Sequence, residues 1–189
     1  RVFVIGTAAG AVVWEQGFGS RYTSLTFAAD DHLYLGAEDG TLQLLTRAGG
    51  GNWHMQQVWQ GPNGIRLLRA SPRGDFLIVV DEDNLASQFR LSEGRIGDTT
   101  LQLPSDVQEV AFGPNGTRVY FRTSRWVHLA SSSIAGLTWM DALLVSRPLP
   151  GAGIVFGNGL PDSVRQQAAY LPIARNEYIQ IVELNFSGS

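Results

Sequence analysis

The chain has 189 residues and a formal net charge of only −3, and hydrophobic residues make up 44% of it. That length and apolar content can bury a sizeable core, which excludes an intrinsically disordered chain. With no basic stripe and no run of like charge, attraction to a nucleic-acid backbone or an anionic membrane surface has little to act on, and neither partner is expected.

Cysteine is absent, which excludes disulfides, thiolate catalysis and cysteine zinc sites and leaves the compartment open, with the cytoplasm favoured over the periplasm or secretion. No stretch approaches the roughly 20 continuous apolar residues of a membrane-crossing helix, so direct membrane insertion is not expected. The chain opens on "RVFVIG" rather than methionine and is read as a segment of a longer parent. Charged residues are only 16%, below the roughly 25% usual in globular domains. Neighbouring repeats or a partner are therefore expected to cover part of the surface.

Five units follow one another, with approximate bounds 1–23, 24–64, 65–106, 107–150 and 151–189. Phe27, Ala70, Phe112 and Phe156 align at steps of 43, 42 and 44 residues, each at the end of an apolar run. A period of about 40 to 45 residues suits a four-stranded propeller blade. The first unit, "VFVIGTAAGAVVWEQ", holds two strands. In the next three, "LTFAADD", "LLRASPRG" and "VAFGPNG" each lead through a turn into a second run, "HLYLGAEDG", "DFLIVVDED" and "TRVYFRTS". Gly74 and Gly116 sit where a tight turn needs positive φ, behind Pro72 and Pro114. Third runs come next, "TLQLLTR", "LASQFRL" and "WVHLASS", and then "NWHMQQVWQ", "DTTLQLP" and "LTWMDALLVSRPLP", each long enough for a fourth, outer strand. In the last unit "IVFGNG" starts the series again and "YIQIVELNF" reads as a third strand. "PDSVRQQAAYL" is the only segment offering a helical turn, and it is expected to be a loop insertion. Four short strands per unit with no sustained 3.6-residue period predict an all-β chain: a β-propeller of four-stranded antiparallel blades, about four to five of them, forming an incomplete ring.

The stretch "SLTFAADDHLYLGAEDGTLQLLTR" resembles a WD-repeat blade, with Asp39 and Gly40 in the turn before the third strand. "VFVIGTAAGAVVWEQ" resembles the same half-blade, with Trp14-Glu15 standing where that family has Trp-Asp. The family's hydrogen-bond network uses a turn aspartate, a histidine, a serine or threonine and a tryptophan, and no unit here carries all four. The resemblance therefore implies a divergent WD-like propeller held mainly by apolar packing between blades. It also implies a role common among such proteins, a non-enzymatic interaction or sensor module of a larger signalling or regulatory protein of bacterial type.

No catalytic constellation, metal site or cofactor motif is legible. His32, His54 and His128 lack ligand-like spacing. "DEDN" at 81–84 lacks the ladder and terminal glutamate of a calcium loop. "GFGS" and "RAGGGN" lack the lysine of a phosphate loop, and no nucleophile elbow surrounds the serines of "LASSSIAG". "NGT" at 115–117 and "NFS" at 185–187 fit the glycosylation pattern, a match frequent by chance. What remains is a recognition surface. The loops joining second to third strands carry Glu38 and Asp39, then Asp81, Glu82 and Asp83, then Arg122 and Arg125, an acidic sector beside a basic one that suits a protein or peptide partner. Trp53, Met55 and Trp59 share a strand phase and offer an apolar patch. Other expected partners are the remainder of the parent chain, completing the ring, and a second copy. The alternative role is an extracytoplasmic propeller that binds a small ligand or sugar or forms the soluble part of an envelope complex.

Overall fold

The alternation of apolar residues along the runs is realised in a computed structural model. It describes residues 2–6, 11–16, 19–28, 32–48, 52–146, 148, 151–156, 168–175 and 179–186. Among these every regular element is a strand, and the strands form five successive antiparallel sheets. Sheet I pairs β1 (Val2–Gly6) with β2 (Ala11–Gln16). Sheet II is the meander β3 (Tyr22–Phe27), β4 (Leu33–Ala37), β5 (Thr41–Arg47) and β6 (Trp53–Gln60). Sheet III runs β7 (Ile65–Ala70), β8 (Phe76–Asp81) and β9 (Leu85–Arg90), and two short strands, β10 (Arg95–Ile96) and β11 (Leu101–Gln102), share the outer edge of β9. Sheet IV is the meander β12 (Glu109–Phe112), β13 (Arg118–Arg122), β14 (Trp126–Ser133) and β15 (Gly136–Leu144). Sheet V orders β16 (Val155–Phe156), β17 (Ala169–Ala174) and β18 (Ile179–Glu183). Phe27, Ala70, Phe112 and Phe156 each close the first strand of their sheet.

The core lies between sheets. Along β8 the side chains alternate, so Leu77 and Val79 join Tyr34 and Leu42 of sheet II, while Ile78 and Val80 join Val110, Val119 and Phe121 of sheet IV. This explains why "FLIVV" is apolar without interruption: a strand covered on both faces has no side for solvent. Sheet IV repeats the arrangement, with Tyr120, Val127 and Leu129 turned toward Ala169, Leu171 and Ile173 of sheet V. Each fully buried aliphatic or aromatic side chain in these seams contributes about 1.5–3 kcal/mol. First strands lie side by side, β3 against β7 and β7 against β12.

Hydrogen bonds cross the same seams. Ser24 Oγ accepts from Leu68 N–H at 2.9 Å, and Thr26 Oγ1 accepts from Ala70 N–H at 3.1 Å. Arg66 Nη1 donates to Val107 O at 2.5 Å. Gln88, fully buried, donates to Ser133 O at 2.6 Å and accepts from Ser132 Oγ at 2.7 Å. Glu109 Oε1 accepts from Ile154 N–H at 3.1 Å. All these partners are 41 to 45 residues apart, so each bond joins near-equivalent positions of consecutive units.

Two features differ from the sequence expectations. "DTTLQLP" does not supply a full outer strand: β11 has two residues, and the chain before it leaves sheet III so that Thr99 bridges Gly136 of sheet IV. Trp59 does not share a face with Trp53 and Met55. A bulge opposite Leu42 and Gln43 turns Trp59 toward Phe89 of sheet III, with ring centroids 6.4 Å apart, while Trp53 and Met55 pack over Leu33, Leu35 and Leu45 on the other face. The turn glycines behave as expected, with Gly74 at φ 71 and Gly116 at φ 75. Residues 161–167 of the segment read as a helical turn lie outside the described residues, and its end, Ala169–Leu171, belongs to β17. Ser187 of "NFS" also lies outside them.

Gly136 shows how tightly the seam between sheets III and IV is closed. Its φ is 121, and an added Cβ would overlap Thr99 Oγ1 and lie 2.7 Å from Thr99 O. Gly136→Ala is predicted to cost about 2–4 kcal/mol in urea unfolding, from backbone strain together with a steric clash. Thr99→Ala does not rescue it, because the Thr99 backbone oxygen remains in the way.

Candidate functional site

The seven residues singled out from sequence fall at the turns joining second to third strands of sheets II, III and IV, or at the strand ends that enter them. Glu38 and Asp39 form the turn after β4; Asp81 ends β8 and Glu82 and Asp83 follow it; Arg122 ends β13 and Arg125 precedes β14. Backbone and side-chain bonds hold each turn to the segment that enters the first strand of its own sheet. Glu38 N–H donates to Arg21 O and Glu82 N–H to Gly64 O, both at 2.9 Å, and Gln108 N–H donates to Arg122 O at 2.8 Å.

A side-chain clip reinforces this in all three sheets. Ser20 donates to Asp39 Oδ2. Asn63 Nδ2 donates to Asp81 Oδ2 at 3.1 Å and to Asp83 Oδ2 at 2.8 Å. Ser124 Oγ donates to Asp106 Oδ2 at 2.6 Å. Ser20, Asn63 and Asp106 stand 43 residues apart in turn. A side chain at each turn also caps the third strand: Asp39 Oδ1 accepts from Thr41 N–H at 3.0 Å, Asp81 Oδ1 from Leu85 N–H at 2.8 Å, and Thr123 Oγ1 from Trp126 N–H at 2.9 Å.

The clips run into one continuous edge. Gly64 sits against both Glu38 O and the Glu82 carboxyl group. Gln102 Nε2 donates to Asp83 O at 2.8 Å, and Leu103 N–H donates to Asn84 O at 2.9 Å, which carries the edge on toward Asp106 and the turn of sheet IV. Glu38, Asp39, Glu82, Asp83 and Arg125 are exposed along it.

Asp81 and Arg122 do not belong to that open surface. Asp81 is buried and both its carboxylate oxygens serve the turn. Arg122 is buried, with Nε 2.8 Å from Glu109 Oε2 and Nη1 3.1 Å from Gln108 Oε1. Because Glu109 also accepts from Ile154 N–H, the Arg122–Glu109 pair is a strut between sheets IV and V. The sequence pattern places both residues next to turns but does not tell a turn cap or a paired cation from a free charge.

The electrostatics follow from the clips. The Asp39 carboxyl is held below its ordinary 3.8, first by the Ser20 hydroxyl and then by the Thr41 bonds. Asp106 is held down mainly by the Ser124 hydroxyl. His128 lies between Trp126 and Trp139, at centroid distances of 6.3 and 5.5 Å, and burial pushes its imidazolium below the ordinary 6.5, opposed by the Asp106 carboxylate. His32 and His54 both belong to sheet II and its turns. Among the described residues no three of His, Asp and Glu gather as a metal site.

No family model and no curated protein matches the sequence. Among solved structures, a functionally unknown protein from Desulfotomaculum acetoxidans DSM 771 is similar over 98% of this chain, with a TM-score of 0.69 and 16% identity. This chain spans 62% of that protein's chain. At that identity the likeness concerns the fold.

The depressed pKa values carry one sign. A group whose folded pKa lies below its unfolded value adds stability that is complete above the unfolded value and drains as pH falls through the folded one. The melting temperature is therefore expected to fall in two stages on acidification. One begins near pH 6.5, as His128 in the unfolded chain takes its proton, and the other begins near pH 4, from Asp39 and Asp106. His128→Gln removes the upper stage and Ser124→Ala flattens the lower. A melting temperature level from pH 7 to 5 contradicts this account.

Proposed function

We propose that the chain is a divergent WD-like β-propeller segment acting as a non-enzymatic protein-interaction or sensor module of a larger signalling or regulatory protein. Its binding surface is the edge formed by the clipped turns. The observation that carries the reading is the clip itself: turns 43 or so residues apart are fixed by the same kind of side-chain bond to the same position of each sheet. Loops on a rigid β scaffold are where recognition residues concentrate. On that edge the side chains of Glu38, Glu82 and Arg125 have no hydrogen-bond or ion-pair partner among the described residues, so their charges are free for another molecule. Asp39 and Asp83 add negative charge while holding the turns.

The propeller geometry is supported by sheets that stack in sequence order and by first strands lying side by side, and by the solved protein of similar fold. Asp81 and Arg122 are assigned to the scaffold in this reading, and the partner faces Glu38, Asp39, Glu82, Asp83 and Arg125.

The test is a binding measurement on a partner first isolated with the parent protein and then purified. Reversing charge at Glu38→Lys with Glu82→Lys is expected to lower the association rate about tenfold near 50 mM salt and by much less at 500 mM, with an unchanged melting temperature. Association at the wild-type rate, or a loss matched by unfolding, moves the binding surface off this edge.

A further inference from the structure

At the opposite end of the same first strands the structure opens a cleft of about 610 Å³, lined among others by Leu25, Phe27, Arg69, Pro72 and Phe112. Leu25 is 60% exposed and Phe27 66%, although β4, which pairs with their strand, is buried throughout. Phe112, at 5% exposure, closes the back. The turn at 113–117 seats on the turn at 71–74, since a side chain at Gly116 would meet Pro72 Cδ at 3.6 Å. The cleft is thus a floor shared by β3, β7 and β12 beneath two stacked turns, with polar and apolar groups side by side.

The charge around this floor is positive. Arg69 lines the cleft, and Arg73 stands in the turn whose Ser71 and Pro72 also line it. Neither side chain has a hydrogen-bond or ion-pair partner among the described residues, and the exposed Asp75 is the one described carboxylate of these turns. Asp30 and Asp31, which follow β3 in sequence, lie outside the described residues. The guanidiniums of Arg69 and Arg73, near exposed leucine and phenylalanine, complement a ligand that is both apolar and anionic.

The edge strands narrow the way such a ligand is held. The amides of β7 that would accept an added strand are occupied, Leu68 N–H by Ser24 Oγ and Ala70 N–H by Thr26 Oγ1. Strand addition is blocked there, and an occupant is held by side chains. We infer that this cleft is a docking site for an acidic peptide segment of a partner protein, its aliphatic residues on Leu25 and Phe27 and its carboxylates on Arg69 and Arg73. The site is separate from the clipped-turn edge and does not depend on it.

Fluorescence anisotropy with a labelled ten-residue peptide alternating leucine and glutamate tests this, beside a leucine–lysine peptide and a glycine–glutamate peptide. Only the leucine–glutamate peptide is expected to bind saturably. Arg69→Glu weakens it at least tenfold and confers binding of the leucine–lysine peptide, and Leu25→Ser with Phe27→Ser abolishes binding at an unchanged melting temperature. Glu38→Lys with Glu82→Lys leaves it unaltered, which separates this site from the turn edge. Absence of saturable binding, or equal binding of the leucine–lysine or glycine–glutamate peptide, overturns the proposal. A dimer in sedimentation that Leu25→Ser with Phe27→Ser dissolves overturns it in favour of a second copy as occupant.

Discussion

The structure depends on the seam between consecutive sheets. Sheet III has apolar side chains on both faces, Leu77 and Val79 on one and Ile78 and Val80 on the other, so a three-stranded meander of this sequence cannot stand in water alone. Its neighbours supply the cover, and at each seam the polar groups left at strand edges are met from the preceding unit: hydroxyls of Ser24 and Thr26 on β7, Gln88 on β14, Glu109 on the segment entering sheet V. Apolar burial supplies most of the free energy of these seams. The hydrogen bonds fix their register, because a buried amide or hydroxyl left without its partner costs about 1–3 kcal/mol.

Much of this was legible in the sequence. The steps between Phe27, Ala70, Phe112 and Phe156 mark the last residue of each first strand, and the uninterrupted apolar run at 76–80 follows from a strand covered on both faces. Other features were hidden because they depend on registry rather than composition. The bulge in β6 sends Trp59 to the face opposite Trp53, although alternation counted along the sequence puts them together. The weak outer edge of sheet III arises from the bridge between Thr99 and Gly136, a contact between residues 37 apart with no local signature.

The candidate site shows the same division. Acidic residues near turns were visible, and their position on one edge follows from the meander. What sequence reasoning missed is the clip, because serine, asparagine and aspartate occupy the equivalent positions 20, 63 and 106, and only their spacing is shared. A search for side chains able to hydrogen-bond at the 43-residue step would have found it. Asp81 and Arg122 were drawn into the open surface because burial of a charged residue at a strand end is decided by partners, Asn63 for one and Glu109 for the other. The scaffold and the surface are therefore built from the same residue types, sorted by whether a neighbouring segment reaches them.

The claim that near-equivalent positions of consecutive units hold the sheets together is tested most directly at Gln88, whose carboxamide meets Ser132 Oγ and Ser133 O across the seam of sheets III and IV. A double-mutant cycle of Gln88→Ala and Ser132→Ala, read by urea unfolding, isolates that contact from the apolar burial around it. The account predicts single losses of about 1–3 kcal/mol and a double loss smaller than their sum by about 1 kcal/mol or more. Losses that add to within about 0.3 kcal/mol would contradict it, since the two residues would then act independently and the seam would rest on apolar packing alone.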